Sequence, residues 1–257
     1  MSFAISFIPD NAYNAVSQIN AQPFEVAPPW HPNSDNIVAS GYPNPAVSVN
    51  KGGSMLFPGT NSSYLSVAND ADFRFRTGQF TIEWFQYMTS QPSHPRVFTI
   101  GSYPAPIGVS IESGTFYFWV NGSSGINYAM TSYLNTWVHM AVTRDSSNNI
   151  RIFQNGVVKV TTSNAYDFNN TTDVLCIGNE TISGSPFPGY LTNFHWVNGT
   201  ARYTGAFTPP TQPITPLTNT KFLLLAITSG TLLTDSSGLG KTVTNTGGIT
   251  WDSRNPF

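Results

Sequence analysis

The sequence predicts an all-β protein, a two-sheet jelly-roll sandwich with an extended N-terminal arm. Three observations lead there. Residues 136–160 read as a β-hairpin, in which Val138, Met140 and Val142 alternate with Trp137, His139, Ala141 and Thr143 before the polar turn 145–149 and the return through Ile150, Ile152 and Phe153. Short strand-like runs recur between Gly, Pro and Asn punctuation, and no stretch spaces its apolar residues as a helix would. Charged residues make up 9% of the 257 and aromatic residues 14%, the composition of a packed core and not of a disordered chain.

The elements follow in order. Residues 1–50 carry Pro9, Pro23, Pro28, Pro29, Pro32, Pro43 and Pro45 among short apolar runs, which predicts an extended arm, with the sandwich over residues 51–257. Phe3, Ile5 and Phe7 alternate like a strand that adds to an open sheet edge, and Phe24 and Trp30 are further anchors. The arm is therefore expected to pack either on its own sandwich or on another subunit of a homo-oligomer. Residues 54–57 and 64–67 are short strands around the Pro58-Gly59 turn, and 69–78 a loop. Residues 80–88, FTIEWFQYM, form a long strand with Ile82, Trp84 and Met88 on one face and Phe85 and Tyr87 on the other.

Strands at 97–100, 109–111 and 115–120 precede the hairpin, whose second turn is the Asn155-Gly156 pair favoured in two-residue loops. Residues 174–177 and 189–197 are strands, 198–216 a loop with aromatic anchors Tyr203 and Phe207, and 221–227 and 242–251 supply the last strands. About a dozen short strands separated by turns make a two-sheet sandwich. Because both hairpin strands carry bulk on two faces, they belong inside it, with Trp84, Trp137, Val142, Ile152 and Ile177 buried between the sheets.

Charge argues against several partners. The net charge is −2 and the 11 Lys and Arg are scattered singly, so there is no basic stripe for nucleic acid. No apolar run approaches the roughly 20 residues that span a bilayer, and the Met1-Ser2-Phe3-Ala4 start lacks the positive region of a signal peptide. The one cysteine, Cys176 in VLCIG, reads as a small buried hydrophobe and not as a reactive thiol.

The segments GSMLFPGTNSSYLSVANDADFRFRTGQFTIEWFQY, WVHMAVTRDSSNNIRIFQNGVVK, VLCIGNE and FPGYLTNFHWVNG resemble the laminin-G-like branch of the concanavalin A-like lectin/glucanase sandwiches. GYLTNFHWVNGTARYTGAFTPPTQPITPLTNTKFLLL is similar to the version found in viral and bacteriophage virion proteins and adhesins. That resemblance implies a non-enzymatic capsid- or tail-associated protein, assembled in the host cytoplasm into a virion, with other virion proteins as partners. Arg76 and Gln79 stand where relatives often carry Gly and Asp, which weakens a carried-over calcium site.

Catalysis has little to stand on. Glucanases of this class place carboxylates at alternate positions of one strand, because a retaining glycosidase needs its two groups about 5 Å apart. Here Glu83 is followed on its face by Phe85 and Tyr87, and reads as an orphan acid or a hydrogen-bonded structural carboxylate. His31, His94, His139 and His195 are far apart and match no nucleophile or metal spacing. No catalytic residues and no cofactor are assigned, with calcium as the one metal to consider. Asn69, Asp70 and Asp72 are the densest oxygen cluster on a loop and either ligate it or cap the turn before Phe73. Sequons begin at Asn61, Asn121, Asn169, Asn170, Asn179 and Asn198, as a chain rich in Asn, Ser and Thr produces by chance.

Binding and assembly remain. Sugars are held by aromatic faces with Asn, Asp and main chain satisfying hydroxyls, and Tyr103, Trp119, Asn121, Asn127 and Tyr128 straddle turns where such contacts are made. They are the candidate ligand-binding residues for a host-surface glycan. A cellular carbohydrate-binding module or adhesin is the alternative reading, and a glycoside hydrolase the more distant one.

Overall fold

The computed structural model describes residues 51–102, 104–180 and 184–257; the predicted arm at 1–50 and Tyr103 lie outside them. The described residues form two antiparallel sheets of eight and seven strands. Sheet A runs β10 (Val157–Ser163), β9 (Asn149–Gln154), β8 (Trp137–Arg144), β3 (Phe80–Met88), β12 (Pro188–Asn198), β1 (Ser54–Pro58) and β15 (Thr250–Asp252), with β13 (Thr220–Leu224) also paired to β12. Sheet B runs β14 (Val243–Thr246), β2 (Tyr64–Val67), β11 (Leu175–Ile177), β4 (Arg96–Ile100), β5 (Ile107–Glu112), β6 (Thr115–Val120) and β7 (Ser123–Ala129). The jelly-roll sandwich expected from the strand pattern is the observed architecture.

The period of two in β3 and β8 builds the core. Ile82 pairs with Val142 and Trp84 with Met140, and all four face sheet B. Trp84 stacks on Phe116 at 6.3 Å and meets the edge of Phe98 at 5.8 Å, tying the sheets together. Val142, Ile152 and Ile177 are fully buried beside it, as expected. Trp137 is not: it pairs with Tyr87 and lies on the outer face of sheet A, half-buried. Alternation puts Trp137 opposite to Val138, and Val138 faces the core. The second apolar face of the hairpin is covered instead by the segment 199–219, which crosses sheet A and lays Phe207 against Phe153 at 5.3 Å.

Two local features seat that segment. Asn155 and Gly156 have φ of 51° and 75°, the geometry of a two-residue hairpin turn, and Gly156 accepts a hydrogen bond from Phe207 N at 3.0 Å. A Cβ at Gly156 would stand 1.8 Å from the Phe207 carbonyl, so glycine is required there. Farther along, β12 pairs with β1 through Leu191 and with β13 from Phe194, changing partner at a bulge between. Asn193 in the bulge has φ 54° and accepts from Ile214 N at 2.7 Å, holding the far end of the segment.

Arg144 closes one end of the sandwich. Its guanidinium is buried on the core side, donates to the carbonyls of Gly78, Tyr166 and Arg76 at 2.9, 2.7 and 2.5 Å, and lies 4.9 Å from the Phe168 ring. Burial pulls its pKa down to about 10, which leaves it charged at neutral pH. Burial, with the Glu180 charge adding to it, pushes the Cys176 thiol up to about 12, as suits a small core residue and not a nucleophile.

Candidate functional site

The outer face of sheet A carries the most organised chemistry. Glu83, midway along β3, is fully buried there and accepts from four side chains. His195 Nδ1 and the Arg202 guanidinium reach its Oε1, the former at 2.8 Å, while the Tyr203 hydroxyl at 2.8 Å and His139 Nε2 at 3.2 Å reach Oε2. His195 Nε2 in turn meets Thr220 Oγ1 at 2.7 Å, an oxygen that also accepts from Leu217 N, and the Glu83 carboxylate accepts the hydrogen bond from the proton carried at Nδ1. Burial alone would raise the Glu83 pKa, but the hydrogen bonds from His139 and His195 and the charge of Arg202 hold it well below the carboxylate range. The Tyr203 phenol moves upward, through burial first and the facing carboxylate second.

The segment 199–219 is pinned over this centre. Thr81 Oγ1 and Thr143 Oγ1 donate to the carbonyls of Thr200 and Tyr203, each at 2.9 Å, and Tyr203 stacks on Phe207 at 3.5 Å. Phe207 also meets His139 edge-on at 5.6 Å, and Phe257 covers Phe85 at 5.3 Å. Glu83 is thus buried with both carboxylate oxygens engaged by two donors each.

One row further along the face is different. Tyr87 of β3, Trp137 of β8 and Tyr190 of β12 form a triangle of rings with centroids 5.7, 5.7 and 6.5 Å apart. Gly189 makes this possible: a Cβ there would strike the Tyr87 carbonyl at 2.1 Å, so only glycine lets β12 approach β3 closely enough. Arg254 lies over Tyr190 at 4.8 Å and donates to its hydroxyl at 2.7 Å. Tyr190 is buried, while Tyr87 and Trp137 remain half-exposed.

The four ligand candidates among the described residues do not share one face. Trp119 and Asn127 belong to the outer face of sheet B, Asn121 to the β6–β7 turn, and Tyr128 to the inner side, where it lies 5.6 Å from Phe116 and donates to Gln154 Oε1 at 3.2 Å. Trp119 is buried under the Arg96 guanidinium at 4.9 Å and donates to Ser110 Oγ at 2.8 Å. The oxygen cluster of the 69–78 loop is likewise engaged. Asp70 Oδ1 accepts from Asp72 N at 2.9 Å, the capping role, and the Lys241 ammonium sits 2.8 Å from both carboxylates, while Lys221 lies 3.4 Å from Asp72. The Asp70 pKa is held low by that backbone hydrogen bond and by Lys241. Asn69 turns away, donating to the Asp173 carbonyl at 2.7 Å and accepting from Arg74 at 2.7 Å. Among the described residues no group of three or more His, Cys, Asp and Glu is placed to share a metal ion.

Sequence reasoning missed the convergence on Glu83 of His139, His195, Arg202 and Tyr203. The available signal was a lone charged residue inside an apolar strand, since such a group demands buried partners.

The profile of the family described as concanavalin A-like lectin/glucanases superfamily, of laminin-G type, matches residues 59–220. Among solved structures, a candidate carbohydrate-binding protein from Bacteroides ovatus is similar, with a TM-score of 0.63 at 18% identity over 79% of this chain and 60% of that one. The heptameric SAP-like pentraxin of Limulus polyphemus aligns with a TM-score of 0.50 at 13% identity, covering 80% of this chain and 97% of its own. At these identities the likeness is one of fold, and this chain spans 60% of the Bacteroides protein's length. No curated protein sequence matches it.

Proposed function

We propose that this chain, which belongs to the concanavalin A-like lectin/glucanases superfamily, is a non-enzymatic virion structural or surface protein, capsid- or tail-associated, that recognises a host-surface glycan. The observation that carries the reading is the state of Glu83. The carboxylate nearest to the glucanase pattern spends its lone pairs on His139, His195, Arg202 and Tyr203, so the face serves for packing and binding and not for bond cleavage. The similarity of residues 189–225 to the virion version of the fold supports the location, and the fold shared with the Bacteroides ovatus protein supports a sugar as ligand. That same likeness favours a second reading, a cellular carbohydrate-binding module.

In the virion reading, residues 1–50 act as an assembly arm between protomers of a homo-oligomer and toward other virion proteins, and neither nucleic acid nor membrane is a partner. Among the described residues no helix is long and apolar enough to cross a membrane.

A glycan array probed with the intact protein tests the ligand. Light scattering before and after removal of residues 1–45 tests assembly, and incorporation into particles separates the virion reading from the cellular one. Turnover of any polysaccharide that disappears in Glu83→Gln overturns the non-enzymatic reading.

A further inference from the structure

We infer that Trp137 and Tyr87, backed by Tyr190, form a stacking subsite for one pyranose ring of a glycan. This rests on the glycan-binding reading and gives it a place. The three rings project from β8, β3 and β12, adjacent strands in the interior of sheet A, and pack edge to face, so their positions are set before any ligand arrives. Tyr190 is the support: it is 7% exposed and its hydroxyl is taken by Arg254. Trp137 and Tyr87 are the contact rings, inclined at 63° to one another, which makes a shallow notch and not a flat wall.

The chemistry of the notch selects its occupant. The Trp137 indole N–H and the Tyr87 hydroxyl belong to half-exposed side chains, so each adds a polar handle beside an apolar ring face. An aliphatic partner would leave both handles unpaired on burial, at a desolvation cost. Arg254 lies over Tyr190 and gives one N–H to its hydroxyl, and it keeps its charge, so the subsite tolerates an acidic sugar without requiring one. A pyranose has the matching character, a C–H face to lie on the indole and hydroxyls at its rim to meet the phenol and the indole N–H. Compactness limits the subsite to one sugar, because the three centroids lie within 6.5 Å of each other. The 199–219 segment and Phe257 cover the neighbouring rows through Tyr203, Phe207 and Phe85, and among the described residues the platform is the row that they leave half-exposed.

The test uses the full chain and methyl glycosides of glucose, galactose and mannose as probes, alongside the array. In a proton–nitrogen spectrum, the Trp137 indole signal is identified by its loss in Trp137→Phe. The expected result is that a binding glycoside shifts this signal, and that Trp137→Ala weakens binding by about tenfold or more while Tyr87→Phe weakens it severalfold. Array binding retained at parental strength in folded Trp137→Ala, or a glycoside that binds without moving the Trp137 signal, overturns the subsite and leaves glycan recognition standing. An array on which the parent binds nothing overturns glycan recognition itself. A Trp137 signal that moves on dilution without sugar means that a second copy covers the notch, and also overturns the subsite.

Discussion

The Tyr203 hydroxyl donates to Glu83 Oε2 at 2.8 Å, joining residues 120 positions apart. It ties the loop after β12 to the middle of β3, so loop and sheet should unfold together. Tyr203→Phe removes one hydrogen bond to a charged acceptor and is expected to cost about 1.5–3 kcal/mol. Glu83→Gln leaves donors facing an amide and is expected to cost about 3–5 kcal/mol. Urea denaturation of both variants and their double mutant checks this. The losses should fall short of additive, because the two residues share one bond, and simple additivity would show that they act separately.

Acid should loosen the same centre. The folded pKa of Glu83 lies below its ordinary value of 4.5, so its ionised form stabilises the fold above that pH. This contribution is lost as pH falls below 4.5 toward the folded value. Asp145 adds to the slope, since burial opposes but its hydrogen bonds from Arg151 and Asn149 hold it down to about 2. Melting of the parent and of Glu83→Gln between about pH 5 and about pH 3 isolates the Glu83 part: the gap between them should narrow as pH falls.

The two tryptophans of the paired strands should differ in cost. Trp84 is fully buried between the sheets, and Trp84→Ala is expected to lose about 3–5 kcal/mol. Trp137 is half-exposed on the outer face, and Trp137→Ala is expected to lose less than about 1.5 kcal/mol. Equal losses in chemical denaturation would contradict the placement of Trp137.

Arg144 should tolerate no replacement. Arg144→Met keeps much of the volume but leaves the carbonyls of Gly78 and Tyr166 without the guanidinium and that of Arg76 with Phe168 N alone, a loss of about 3 kcal/mol or more. Arg144→Lys should recover only part, because an ammonium cannot reproduce the planar fork that reaches all three. Full recovery with lysine would show that charge alone matters there.

Calcium is expected to leave the melting temperature unchanged, since Lys241 bridges Asp70 and Asp72 and Lys221 adds the second positive charge beside Asp72. Lys241→Ala removes the cation shared by the two carboxylates, leaving Lys221 beside Asp72, and should lower stability in the absence of calcium. A parental melting temperature that rises with calcium and falls with a chelator would show that the ion displaces the lysine.

How far these features were legible in the sequence follows from their range. Alternation in 80–88 and 136–160 specified which residues share a face, because a strand's period of two is local, and the Asn155-Gly156 turn was equally plain. That is why Trp84, Val142 and Ile152 sit in the core as expected. Alternation does not say which face turns inward when both carry bulk. Trp137 was expected inside, and only the facing of sheet B against Val138, Met140 and Val142 decided otherwise. The Glu83 centre lay further out of reach. His139, His195 and Tyr203 meet it from 56, 112 and 120 positions away, because β8 and β12 flank β3 and the loop beyond β12 folds back over all three. Local sequence thus determined strands, turns and shared faces, while strand order and the return of the 199–219 segment decided which side chains meet. Pairing between distant strands depends on packing and desolvation over the whole sandwich, which no short window of residues encodes.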